Sequence, residues 1–327
     1  MRNLKEKSVS VVIELDNAAF ETTTVWMKRV RGMLDWIKQS SEVNVIEIII
    51  AHGEHYSESV KLFLSKLPND WGKNVSSLPL VDELAYYYSM KNIGAQQAKG
   101  EIIAFLDSDL TPVYGTFADL IAPLFKDKQV ASCGHAFFPD DNFLSKSYSL
   151  FWFFPIYHEM NSLSKNSLYA NSIVFNRDWF LKNMFETQCG GLRVSCYLQA
   201  QHLKQEGYTI NHPDVWFEHA LWNSTFGFFI WRAFVSGRDA NKKQTIINSK
   251  SRIIRLKNAT KSFLLDIRRI YKRHITYRHN VNMGYFQTVA SFFIGIVFFF
   301  LLRSSQLLSI LKPVNNKRET IPNNYIT

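Results

Sequence analysis

The pattern richest in chemistry in this 327-residue chain is Asp107-Ser-Asp109, which directly follows the apolar run Glu101-Ile-Ile-Ala-Phe-Leu106. Two carboxylates two residues apart lie on the same side of an extended chain, and at the end of an apolar strand they can share one hard divalent cation through oxygen. Mg2+ or Mn2+ held there would bridge phosphate groups. The same three residues also suit a solvated turn ended by Pro112. On the triplet alone both readings stand.

The surrounding elements decide where the triplet sits. Ser8-Val-Ser-Val-Val-Ile13 reads as a short buried strand, residues 26–37 carry a helical period, and Val45-Ile-Glu-Ile-Ile-Ile50 reads as a second strand. Residues 57–67 are expected as a helix, 74–80 as a third strand, 83–99 as a third helix and 101–106 as a fourth strand. Alternating strands and helices, with near-continuous apolar strands and short connections, predict an α/β fold with a parallel, doubly wound sheet covered on both faces. Such sheets bind ligands outside the carboxyl ends of their strands, and the fourth strand delivers Asp107 and Asp109 there. No internal repeat or low-complexity stretch interrupts the pattern.

Composition excludes several classes. With 46% hydrophobic and 20% charged residues the chain can build a large core, and three Cys rule out a disulfide scaffold. The net charge of +10 first suggests nucleic acid or an anionic membrane. Residues 250–279 carry ten Lys/Arg and one acid, so this block supplies +9 of it. A protein that follows a phosphate backbone would spread its charge more widely, and no nucleic-acid partner is expected. Residues 280–302 carry no charge, and 23 helical residues rise about 35 Å, enough for a hydrocarbon core of about 30 Å. Ile253, Leu256, Phe263, Ile267 and Ile270 recur at helical spacing in the basic block, which describes a helix in a membrane interface beside anionic lipids. The N-terminus lacks an apolar run long enough for a signal peptide, so the main domain is expected in the cytoplasm, with the basic block on the inner side of the cell membrane.

Lys91-Asn92-Ile-Gly94-Ala-Gln-Gln-Ala98-Lys-Gly100-Glu101, the apolar strand and Asp107-Ser-Asp109 together resemble the central signature of family 2 glycosyltransferases. Weaker likenesses are Val9-Ser-Val-Val-Ile13, Tyr169-Ala-Asn171-Ser, and Gly207-Tyr-Thr-Ile followed by Trp216-Phe-Glu-His219, so the resemblance covers roughly residues 8–240. It implies a Rossmann-like GT-A fold, a nucleotide-sugar donor, most simply a UDP-sugar, a divalent metal (Mn2+ or Mg2+) and inversion at the sugar carbon. By position it implies Asp107 at the ribose or metal, Asp109 on the metal, His219 as a further ligand or diphosphate contact, and Lys91 and Asn92 beside the donor phosphates. By likeness to membrane-bound members, Arg232 and Arg238 are candidates for a diphosphate contact. The acceptor expected is a lipid-linked or growing saccharide of the cell envelope. The organisation expected is a GT-A domain over 1–240, a basic amphipathic segment over 241–280, one transmembrane helix over 281–303 and a polar tail over 304–327.

Three departures from the family pattern bear on chemistry. Where the family carries Asp-Asp-Gly-Ser after its second strand, this chain has Ala51-His52-Gly53-Glu54, so His52 or Glu54 stands in for a base contact. The first strand ends Glu14-Leu-Asp16-Asn17, offering Asp16 or Glu14 for the base or ribose. The family's Glu-Asp pair, whose Asp is the general base, aligns with Ser195-Cys196, or across a gap with Leu192-Arg193. Glu186 is then the nearest carboxylate in sequence and the candidate base. Cys189 and Cys196 read as small buried residues, not nucleophiles. Loss of the base motivates an alternative, a GT-A scaffold in a polysaccharide or glycolipid assembly complex.

Overall fold

The computed structural model describes residues 4–69, 71, 74–81, 84, 86–126, 129–159, 168–187, 194–220, 226–248 and 251–312. Cys189 and the Leu192-Arg193 alternative lie outside them. The chain divides into two units, Met1–Ala136 with Ser164–Phe185 and Gln199–Ala220, and Phe137–Leu163 with Glu186–Leu198 and Leu221–Thr327.

The first unit is built on β1 (Ser8–Glu14), β2 (Asn44–Gly53), β3 (Val75–Leu80), β4 (Ile102–Asp107), β5 (Leu110–Tyr114), β6 (Ala131–Cys133), β7 (His135–Phe137), β8 (Ser172–Asn176), β9 (Ile210–Asn211) and β10 (Trp216–His219). Its main sheet has the order β3-β2-β1-β4-β8-β6-β9, and a small sheet has the order β5-β10-β7. The first four strands of that order are parallel, as their unbroken apolar runs predict, because helices cover both faces. The fourth strand's other neighbour, β8, runs antiparallel, so the sheet is mixed. The covering helices include α1 (Thr23–Gln39), α2 (Ser57–Ser65) and α3 (Tyr87–Gln97). The third helix begins at Tyr87, four residues later than the expected 83. It lies so close to β1 that a Cβ on Gly94 would stand 2.5 Å from Val12 Cγ1, which explains a glycine inside this helix. Shorter helices α4 (Phe117–Ile121), α5 (Phe143–Phe151), α6 (Arg177–Lys182) and α7 (Val194–Gln205) connect the later strands.

This unit also holds a buried histidine stacked on a half-buried one. The His135 ring is fully buried, 5.5 Å from His212 in a near-parallel stack and 4.7 Å from Trp216. Burial pushes His135 down to about 4 and lowers His212, while nearby Asp214 opposes the shift on His135. A depressed imidazole stabilises the fold fully above its unfolded value of about 6.5, and that contribution is lost as pH falls toward about 4. His135→Phe is therefore expected to remove about 3 kcal/mol of acid sensitivity between those limits. Thermal melts of both proteins at pH 7 and pH 4.5 measure it, and parallel acid limbs would refute it.

The second unit is helical, with α5, α8 (Phe226–Asn248), α9 (Arg252–Tyr277) and α10 (Tyr285–Leu311). Residue 240, the expected domain boundary, lies inside α8. On α8, Gly237 has no room for a side chain, since a Cβ there would fall 2.1 Å from the Leu302 carbonyl oxygen, so α8 and α10 touch backbone to backbone. Arg273 of α9 donates to the carbonyls of Ser149, Leu150 and Phe154, closing the end of α5 and the aromatic turn after it. The uncharged run forms one long helix, but it starts at Tyr285 and continues through Arg303. Val281 and Met283 instead dock against Leu150 and Ile156 and end the turn before it. Of the apolar stripe expected to face a membrane from α9, Ile270 is fully buried and Leu256, Phe263 and Ile267 are half-buried, because that side packs on α10. Ile253 is exposed.

Candidate functional site

The chain leaves β1 toward β2 and β3 on one side and reaches β4 on the other, so the strand order reverses between β1 and β4. A crevice for ligand forms at such a reversal. There the parallel register sets Glu14 directly beside Asp107, both buried. Asp107 Oδ1 accepts from Lys91 Nζ at 2.5 Å, and Oδ2 accepts from Tyr87 Oη at 2.8 Å and Asn17 Nδ2 at 3.2 Å. Glu14 accepts from the Asp16 amide at 2.7 Å and from Asn17 Nδ2 at 3.0 Å. Lys91 is fully buried, its ammonium 4.6 Å from the Tyr87 ring centroid. One ammonium thus faces a group of carboxylates. Burial first, then the Asp107 charge, drives Glu14 well above the usual carboxylate range. Burial likewise pushes Asp107 up to about 6 against the pull of Lys91.

Asp109 is fully buried two residues on, and the antiparallel pairing of β5 with β10 sets His219 opposite Leu110, next to it. The Ala220 amide donates to the Asp109 carbonyl at 3.0 Å, closing that corner. His219 Nε2 stands 3.4 Å from Asp109 Oδ2, and Nδ1 is 3.0 Å from the Ala220 carbonyl. With Nδ1–H donating to that carbonyl, Nε2 is the ring nitrogen turned to the carboxylate oxygen, and a proton or a cation between the two satisfies both. A hard cation keeping several waters and binding through one or two protein groups plus phosphates suits this pair, and the Nδ1 bond fixes the ring as a second shell would. No cluster of three or more His, Cys, Asp or Glu gathers as a complete cage among the described residues, so the remaining positions would fall to substrate and water.

The other sequence-derived residues lie around this corner in distinct ways. Asp16 Oδ2 accepts from the Tyr87 amide at 3.2 Å, placing a carboxylate at the N-terminus of α3. Asn92 is a clamp: its Nδ2 donates to the Phe185 carbonyl at 2.8 Å and its Oδ1 accepts from the Phe185 amide at 3.1 Å. Its amide therefore holds protein backbone. Through Nδ1, His52 donates to the Gly53 carbonyl at 2.8 Å, and its Nε2 accepts from Ser77 Oγ at 2.7 Å. Both its ring nitrogens are engaged with groups of the sheet. Tyr87 was not among the sequence candidates; its signal was the Tyr86-Tyr87-Tyr88 run ahead of the Lys91-Asn92 motif.

Residues 36–181 match the model of glycosyl transferase family 2, a span that contains Lys91, Asn92, Asp107 and Asp109. This matched segment, a little under half of the chain, is similar to family 2 glycosyltransferases. Glu14, Glu186, His219 and Arg232 lie outside the match. Among solved structures, a mannosyltransferase from Pyrobaculum calidifontis in complex with GDP-Man and Mn2+ is 13% identical, with a TM-score of 0.55 over 94% of this chain and 87% of that one. GalNAc-T7 with UDP, GalNAc and Mn2+ is 14% identical, with a TM-score of 0.50 over 72% of this chain and 51% of that one. At these identities the likeness establishes the fold, the GT-A architecture expected. No curated protein matches the chain significantly in sequence.

Glu186, Arg232 and Arg238, all candidates from the sequence, belong to the second unit. Glu186 follows Phe185 and is half-buried, and its carbonyl accepts from Ser195 Oγ in the first turn of α7. This contact brings Glu186 to the start of α7, the helix that bears Ser195 and Cys196. Arg232 lies on α8, its guanidinium carbon 5.3 Å from the Trp152 ring centroid.

Proposed function

We propose that this glycosyltransferase moves a hexosyl group from a nucleoside-diphosphate sugar to a lipid-linked or saccharide acceptor at the cytoplasmic face of a cell membrane. The observation that carries the reading is the buried corner of Asp107, Asp109, Lys91 and His219 at the strand reversal of a domain similar to family 2 glycosyltransferases. Asp109 and His219 would hold a Mn2+ or Mg2+ ion, which supplies Lewis-acid stabilisation of the departing diphosphate. Mn2+ in both related complexes supports that choice. Lys91 holds Asp107 ionised and fixed toward the ribose. Glu186 takes the proton of the acceptor hydroxyl as the hydroxyl oxygen attacks the sugar carbon and the bond to diphosphate breaks, with inversion. UDP is the nucleotide proposed, with Asp16 and Glu14 turned to the nucleoside. Arg232 supports the diphosphate, and the two C-terminal helices hold the enzyme to anionic lipid.

A donor screen tests the reading. Full-length protein in detergent with Mn2+ is expected to release free nucleoside diphosphate from one class of nucleotide sugar, and Glu186→Gln is expected to retain donor binding while transfer falls about 100-fold. Release from no common donor would favour the scaffold reading. That second reading draws on the sequence resemblance, in which Ser195 and Cys196, in the first turn of α7, align with the family's acids.

A further inference from the structure

The long apolar helix α10 meets length and composition for a membrane span. Its partners constrain how it can enter one. Helix α9 runs antiparallel to it along nearly its whole length: Arg252 Nη2 donates to the Leu311 carbonyl at 2.8 Å, Arg303 Nη2 meets Asp266 Oδ2 at 2.5 Å, and His274 Nε2 meets Ser291 Oγ at 2.9 Å. Between the last two, a Cβ on Gly295 would stand 3.2 Å from Ile270 Cδ1. The two helices form one hairpin. Helix α9 carries eight Lys/Arg against one Asp, so a membrane crossing by the hairpin would draw those cations through hydrocarbon, where each is strongly unfavourable. A crossing by α10 alone would strip it from α9, break the Asp266–Arg303 ion pair and carry the Arg303 charge away from its carboxylate.

The outward face offers a different solution. On α10, Phe286, Phe293, Val297, Phe300, Leu308 and Leu311 are all exposed and recur at i, i+7, i+11, i+14, i+22 and i+25, one straight stripe about 38 Å long. On α9, Ile253, Leu264, Tyr271 and Ile275 are exposed at i, i+11, i+18 and i+22, again a single stripe. Exposed Lys257, Lys261, Arg268 and Lys272 are interspersed with it, as cations reaching anionic headgroups from a half-immersed helix would be.

We infer that α9 and α10 form a monotopic hairpin that lies in the plane of an anionic bilayer surface, with α10 half-immersed and not crossing. This rests on the membrane association proposed above and is independent of the donor chemistry.

Single cysteines at Phe286, Val297 and Leu308, each carrying an environment-sensitive fluorophore on full-length protein with Cys133 and the other native cysteines replaced by Ser, are read on vesicles of phosphatidylcholine and phosphatidylglycerol with quenchers at graded depths. The hairpin places all three at one shallow depth. A deep Val297 between two shallow ends would overturn it. In cells, a reporter after Thr327 is expected on the same side as the main domain, and its appearance on the opposite side would also overturn the inference. The double variant Leu264→Glu/Tyr271→Glu, altered only at exposed positions of α9, is expected to lower vesicle cosedimentation at least tenfold in 0.15 M salt. Unchanged cosedimentation with an intact thermal melt would contradict a bilayer-facing α9. Nucleoside diphosphate release in detergent, measured on the same samples, separates failure of the hairpin from failure of the proposed reaction.

Discussion

Asp109→Ala is expected to lower nucleoside diphosphate release about 1000-fold while leaving the melting temperature unchanged or higher. The activity loss follows from removing the oxygen that faces His219 at 3.4 Å, and with it one of the two protein donors proposed to hold the cation. Charge stabilisation of this kind is worth several kcal/mol, and each 1.36 kcal/mol is a factor of ten in rate. The stability change has the opposite sign for a reason visible in the same corner. Asp109 is fully buried, and its charge raises the pKa of both Asp107 and Glu14. Removing one of three crowded carboxylates relieves that repulsion. A residue that costs stability where it stands and gains function there is a common pattern at active sites. Release assays with Mn2+ and thermal melts on the same preparation measure both effects. A variant with near-normal turnover would remove Asp109 from the site, and a variant that simply unfolds would remove the electrostatic account.

The parts of this corner differ in how far sequence alone reveals them. Asp107 and Asp109 are legible because an apolar run must end somewhere, and the end of a buried parallel strand faces the ligand side. Glu14 beside Asp107 is a matter of register between strands some 90 residues apart, and register is carried by packing that no local pattern displays. Asn92 shows the converse. Its place in a recognisable motif suggests phosphate, but its amide closes two hydrogen bonds on Phe185, a residue 93 positions away. The role of holding a distant backbone segment is invisible in a linear reading. His52 reads as a substitute for a lost acid, yet burial in β2 turns its nitrogens to Gly53 and Ser77.

The C-terminal helices follow the same logic. Charge segregation and the uncharged run are linear facts and are legible. Which side of α9 faces inward is settled by α10, whose contact buries Ile270 and leaves Leu264 and Tyr271 outside. Arg303 reads as the end of a span, and pairing with Asp266 makes it the middle of a helix.

Lys91→Met is expected to be the most destabilising substitution in the first unit, by about 3–5 kcal/mol at pH 8, because it leaves buried carboxylates without their ammonium. Lys91 exerts the strongest opposing pull on the Asp107 carboxyl and lies wholly inside the fold, so no water replaces it. The loss depends on pH in a determined direction. Asp107 already has a folded value of about 6, above its unfolded value of about 3.9, so its contribution to stability is fully present below about 3.9 and declines as pH rises through about 6. Without Lys91 the folded value rises further, and the side chain takes up a proton instead of remaining charged. The deficit against the parent protein is therefore greatest above pH 7 and shrinks as pH falls below about 6. Adding Asp107→Asn removes the stranded charge, so the double variant is expected to recover most of the loss, a coupling readable in a double-mutant cycle. Denaturant unfolding of the four proteins at pH 8 and pH 5 gives the answer. A deficit equal at both pH values, or no recovery in the double variant, would mean that Lys91 supports the fold by packing against Tyr87 and Phe105 and not by neutralising the carboxylates beside it.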